Sequence, residues 1–201
     1  MEERLTRTTR SYLAAGMLLY AILIAPPVLR FLETWMTSHM TVLVPGLAVA
    51  GWHCGAGLRT IAAPVNRAWN AGGIPGLVTA VFAGMFWMLP RALDESLVNV
   101  STEITKVVTI PLFVGLPLAL SWQPLGPIWR GVLKANLISM FVALGWLYSA
   151  APVRLCSSYL QSDQALLGQA FLVLAGALAV AWSFPWFFGC RNAVASAYLD
   201  S

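Results

Sequence analysis

Six long apolar stretches run through this 201-residue chain, at residues 11–29, 39–58, 74–89, 107–122, 132–151 and 165–188. A helix that crosses the hydrocarbon core of a bilayer needs about 20 mostly apolar residues, within a range of roughly 17 to 25. Backbone N–H and C=O groups find no water there, so each stretch must satisfy its own groups as a helix. The expectation is an all-α, polytopic membrane protein. Six transmembrane helices form a single bundle domain over residues 1–201, in contact with membrane lipid. Only 10% of the residues are charged, against about a quarter in a soluble domain, too few to cover a water-facing surface. The net charge of +4 is small and dispersed, which argues against a nucleic-acid partner.

Lys and Arg in alternate loops set the orientation. One set holds eight, Arg4, Arg7, Arg10, Arg59, Arg67, Arg130, Lys134 and Arg191; the other holds four, Arg30, Arg91, Lys106 and Arg154. The richer set reads as cytoplasmic, with both termini on that side. Glu33, Asp94, Glu95, Glu103 and Asp163 then all face out. The segment Met1 to Arg10 lacks the small-residue exit site of a cleavable signal, so the first apolar run is expected to remain as an anchor. Cys54, Cys156 and Cys190 are far apart and make neither a disulfide framework nor a zinc motif.

Between the third and fourth spans, Leu93, Leu97, Val100 and Ile104 recur at four, three and four residues. That spacing is one helical face and predicts an amphipathic outer helix over 91–106, or a long extension of the fourth span, set off from the third by Pro90. Pro26, Pro27, Pro45, Pro111, Pro117 and Pro185 predict bends in their spans. Gly51 with Gly55, and Gly72 with Gly76, have the spacing that lets helices approach closely, and read as packing. Trp35, Trp52, Trp87, Trp122, Trp129, Trp146 and Trp186 lie mostly near span ends, as an aromatic belt would.

The candidate chemistry gathers on the outer side. Met36, His39 and Met40 are three and four residues apart, so one helical face can present two thioethers and an imidazole. Those donors suit a soft ion such as Cu(I). Met85 and Met88 end the third span at the same depth, and Cys156 follows the fifth span on that side. The alternative is that these methionines fill a core and His39 is an interfacial polar residue. His53 and Cys54 lie deeper in the second span, where a polar side chain either serves function or bonds a neighbouring helix. Arg91, Asp94 and Glu95 can pair within one helical turn. Asn99-Val100-Ser101 matches a glycosylation acceptor.

Several classes are disfavoured. His39 and His53 share one predicted helix and stand about 21 Å apart along its axis, so they cannot clasp a haem iron. Lys106 and Lys134 sit at span edges, which disfavours a retinal pigment. The spans show no buried charge, which disfavours a transporter. No nucleophile elbow, phosphate loop or metalloprotease helix is present, so no enzyme is expected.

The stretch Glu33-Thr34-Trp35-Met36-Thr37-Ser38-His39-Met40, followed by Pro45 and Gly51-Trp52, resembles the "HM…P" span of CtaG-type cytochrome oxidase assembly proteins. Phe86-Trp87-Met88-Leu89-Pro90-Arg91-Ala92-Leu93-Asp94 resembles that family's "W-x-x-P" segment before an outer loop. Leu89 stands where the pattern has a His before the proline. The resemblance implies a multi-pass protein of the bacterial inner membrane that helps mature or support a copper-containing respiratory oxidase. It also implies a weak, outward-facing copper site with His39 and Met40 as carried-over ligands and Asp94 in the outer helix. Met36, Met85 and Met88 complete the candidate metal residues read from spacing. The alternative is a metal-free structural subunit of a larger membrane complex.

Overall fold

The computed structural model describes residues 2–188, with side chains described from 9 to 184. Cys190, Arg191 and the side chains of Arg4, Arg7, Pro185 and Trp186 lie outside the described residues, and so does the expected placement of the carboxyl terminus. Among the described residues the chain is all helical, with eight helices. Helix α1 (Glu2–Ile24) and helix α2 (Pro26–Glu33) meet at a 66° bend. Pro26 opens α2, and a proline excludes helical geometry from the residue before it. Ala25 accordingly sits at φ −57°, ψ 126°. The first apolar run, expected as one span, is thus broken at its proline pair.

Helix α3 (Met36–Trp69) is the longest among the described residues. It carries a π turn at His39–Leu43 and continues eleven residues past the expected end at Leu58. The extra turns keep Arg59 useful: its guanidinium donates to the Ala119 carbonyl at 2.9 and 3.2 Å. Two glycines with left-handed φ, Gly72 (+71°) and Gly73 (+76°), then reverse the chain. No Cβ is tolerated cheaply at such φ values, so Gly72 serves the turn and is not a packing glycine. Helix α4 (Ile74–Trp87) rises back and meets α5 (Pro90–Val98) at a second 66° bend.

The expected outer helix is present as α5, and the rest of the 91–106 stretch is the expected extension of the fourth span. Asn99 ends α5, and its side chain accepts from the Ser101 N–H at 3.0 Å to cap α6 (Val100–Ser121). The cap restarts the helix in a new direction, so the four-residue stripe is broken. Leu93 is fully buried, while Val100 and Ile104 are 68% and 57% exposed. Helix α6 holds its own π turn at Pro111–Gly115. Helices α7 (Pro127–Ala150) and α8 (Gln161–Phe188) complete the described residues.

Helices α3, α6, α7 and α8 are each long and apolar enough to cross a membrane, and the two bent pairs raise the number to as many as six. The protein is therefore a multi-pass, all-α membrane protein. Helix α3 packs along α1 on one side and α6 on the other. A side chain at Gly51 would overlap the Pro111 carbonyl, and one at Gly115 would overlap that of Ala48. The close approach expected of Gly51 and Gly55 is thus made against α6. Helix α7 packs along α8, and α8 meets the rest of the bundle chiefly at Met36–Ser38.

Candidate functional site

Up-and-down helices return every second loop to the same end. At the end that the Lys and Arg count orients outward, the start of α3, the first turns of α6, the α4–α5 bend and the 151–160 loop converge. Lys106 is the centre. It lies six residues into α6, about 9 Å from its start, and has no solvent exposure. Its Nζ donates to Glu33 Oε1 at 2.6 Å and to His39 Nε2 at 3.0 Å. Both carboxylate and imidazole are needed, because a buried ammonium without partners is strongly disfavoured.

The network assigns the histidine tautomer. An ammonium can only donate, so His39 Nε2 accepts and the ring proton sits on Nδ1. That proton is donated to the Tyr159 hydroxyl at 2.9 Å, and Tyr159 donates in turn to the Glu33 carbonyl at 2.7 Å. His39 is fully buried and Glu33 is 12% exposed, so Glu33 alone reaches the rim. Burial raises the Tyr159 hydroxyl pKa, with Glu33 adding to it, which keeps the phenol protonated as donor.

The 151–160 loop is pinned beside this cluster. Asp94 accepts from the Ser157 N–H at 3.0 Å, the Ser158 N–H at 2.9 Å and the Ser157 hydroxyl. Burial pushes the Asp94 carboxyl up, but these donors outweigh it and hold the group below its ordinary 3.8. The expected Arg91–Asp94 pairing gives way to this cross-loop contact. Gln164, buried at the start of α8, accepts from the Leu155 N–H at 2.8 Å. Cys156 is buried, its Sγ 3.6 Å from the Pro90 carbonyl. Burial and then the Asp94 charge push its thiol up to about 11. A thiol so placed is a poor metal ligand, because the thiolate is the form that binds.

Met36 and Met40 have no exposure and Met88 has 8%, and all three belong to the apolar core. Met85 is 47% exposed and lines a cleft against α7. The fold therefore brings Met36, Met40 and Met88 into one core and leaves Met85 outside it. The donors do not fit a preformed copper site. Both His39 nitrogens are engaged, and the ammonium on Nε2 stands where a cation would have to bind. Among the described residues no three His, Cys, Asp or Glu side chains are grouped to hold a metal ion.

Two earlier expectations are corrected. Lys106 is not an edge residue, and the spans do contain a buried charge. The signal available was a lysine between Thr105 and the apolar run that starts at Val107, with Glu33 at the same depth on another segment. Trp87 is likewise no belt residue: it is buried, and its indole N–H donates to Thr109 Oγ1 at 2.9 Å. His53 lies against the Tyr12 ring, centroids 5.9 Å apart, with Nδ1 buried and unbonded among the described residues.

At the opposite end a second polar cluster ties α3, α4 and α6 together. The Asn70 amide donates to Asn66 Oδ1 and Ser121 Oγ at 2.9 Å each, and accepts from the Gly76 N–H at 2.9 Å. The chain matches no protein-family model, no curated protein and no solved structure.

Proposed function

We propose that this chain is a non-enzymatic accessory protein of the bacterial inner membrane that supports a copper-containing respiratory oxidase, and that it does so as a metal-free structural partner. The carrying observation is the Lys106 ammonium on His39 Nε2 at 3.0 Å. Support for the oxidase partner comes from the resemblance of residues 33–52 and 86–94. The residues that carry it, Met36, His39, Met40, Trp87 and Met88, are buried at one end of the bundle, and Asp94 clamps the loop beside them. These residues seal and stiffen a surface in this reading. The fully buried Lys106 does not by itself make the chain a transporter. Its network closes on itself at the Glu33 carbonyl, and Ser121 at the far end of α6 lies about 22 Å away along the helix.

The test has three arms. Protein purified in mild detergent is titrated with Cu(I) against a chromogenic chelator. No stoichiometric uptake is expected; one tightly held ion that is lost in His39→Ala would replace this reading with copper relay. Co-purification with oxidase subunits at fixed stoichiometry is expected, and purification free of any of them overturns the partner. A cysteine placed at Ser157 should react with an impermeant maleimide in intact cells and one at Thr60 only after permeabilisation; the reverse pattern overturns the orientation.

A further inference from the structure

Helix α7 packs along α8 and along no other helix to a comparable extent. Two adjoining clefts, of about 270 and 300 Å³, separate it from α4 and α6. The larger is lined by apolar side chains and Asn136, with Gly84 on the α4 wall and Leu133, Leu137 and Met140 on the α7 wall. A Cβ built on Gly84 meets nothing within 4 Å, so that wall is open. The clefts lie among the spans, where lipid or another helix can fill them. Apolar walls suit both.

The charge at the foot of the cleft separates the two. Leu133 and Leu137 follow Arg130 at three and seven residues, which is one helical face. Arg130 therefore lies on the cleft side of α7, one turn below the lining, and Lys134 follows it by four residues. Arg130 Nη2 donates to the Trp122 carbonyl at 2.7 Å, and the guanidinium stands 5.2 Å from the centre of the Trp122 ring. Its Nε is buried without a partner among the described residues. Lys134 Nζ stands 5.3 Å from the centre of the Trp182 ring and has no hydrogen-bond partner among the described residues. Carbonyls and ring faces hold the two cations in place but carry no countercharge. The described carboxylates, Glu33, Asp94, Glu95, Glu103 and Asp163, all belong to the other end of the bundle. Asn136, two residues beyond Lys134, belongs to the same interface as the cations.

That imbalance disfavours a helix as the filler. Membrane helices carry an excess of Lys and Arg at their cytoplasmic ends, and a second copy of this chain would bring Arg10, Arg59, Arg67, Arg130 and Lys134 again. An anionic phospholipid supplies the missing negative charge at the interface and an acyl chain for the apolar walls above it.

We infer that the α4–α7 cleft is a binding site for one anionic phospholipid, with its phosphate at Arg130 and Lys134 and an acyl chain along Gly84, Leu137 and Met140. The inference rests on the orientation read from the Lys and Arg count, which the labelling at positions 157 and 60 tests separately. It does not depend on the oxidase or on the Lys106 cluster.

The full chain, purified in mild detergent, is titrated with phosphatidylglycerol and with phosphatidylcholine, and bound lipid is counted by native mass spectrometry. One phosphatidylglycerol should bind roughly 25-fold more tightly than phosphatidylcholine, from two basic residues worth about fivefold each. Lys134→Gln should weaken it roughly fivefold, and Arg10→Gln, on α1 across the bundle, should leave it unchanged. One equivalent of phosphatidylglycerol with a diazirine in its acyl chain should label α4 and α7 at the cleft and spare Val173 on α8. Gly84→Leu, which fills the open wall, should abolish that labelling; should it impair folding, the wild-type adduct map decides. Equal affinity for the two lipids, equal weakening by Arg10→Gln, or adducts spread around the bundle would each overturn the inference. So would displacement by glycerol phosphate, which has the anion and no chains, or a dimer or second protein held in place of the lipid.

Discussion

Replacing Glu33 by Gln should be more damaging than replacing Glu33 and Lys106 together. Lys106 has no exposure, so Glu33→Gln leaves an ammonium sealed in the bundle with only neutral partners. Breaking a buried pair in this way costs about 3–5 kcal/mol; the lower figure applies, because Glu33 reaches the rim and its charge is partly screened already. Lys106→Met leaves a carboxylate that water can reach, and an unpaired His39 Nε2 whose loss is about 1–3 kcal/mol. The double variant buries no charge and retains only the histidine penalty. It should therefore be more stable than Glu33→Gln alone, with a coupling of about 3 kcal/mol between the sites. At about 2–4 °C per kcal/mol for a domain of this size, Glu33→Gln should lower the midpoint by roughly 6–12 °C. Adding Lys106→Met should restore about half of it. Fluorescence-detected thermal unfolding of the four proteins in one detergent measures this. Single costs that sum to the double within about 0.5 kcal/mol would show that the two groups do not interact and would refute the buried network.

Asp94→Ala should release the 151–160 loop, costing about 1–2 kcal/mol, and expose Cys156 to an impermeant maleimide that reaches it slowly in the wild type. Because the Asp94 carboxyl is held below 3.8, its clamp is complete above about pH 4 and is lost as pH falls through the lower folded value. Cys156 labelling should therefore accelerate in strong acid once corrected for thiolate content; acceleration toward alkaline pH alone would contradict the clamp. Gly115→Ala should prevent accumulation of folded protein, since its Cβ would overlap the Ala48 carbonyl with backbone on both sides. Gly84→Ala should be neutral or stabilise by about 0.5–1 kcal/mol through helix propensity. Equal behaviour of the two in a detergent stability screen would contradict the helix contacts.

The candidate site was legible in part. Alternation of loops across a bilayer already places Glu33, His39, Asp94 and Cys156 at one end, and the structure brings all four there. What periodicity could not supply is which of them touch. The spacing of Met36, His39 and Met40 is compatible with a shared ligand face. It says nothing of a lysine 67 residues later in the chain that reaches the same imidazole nitrogen. Lys106 read as a span edge because hydropathy falls at any lysine, whether the side chain reaches outward or is buried. The outer helix and the extension of the fourth span were both legible, but not the break between them: a capping asparagine resets helical phase, and a count of intervals runs through it.

Class and multi-pass architecture follow from the sequence by itself. The cost of unsatisfied backbone groups in hydrocarbon allows long apolar runs hardly any other form, and the proline pair at 26 and 27 marks the first bend without knowledge of its neighbours. Tertiary structure alone decided that Lys106 sits on His39, that Asp94 grips Ser157 and Ser158, and that a cleft stays open between α7 and α4. Those are distances between segments far apart in the chain. They depend on how helices rotate and tilt against one another, which short-range pattern does not encode.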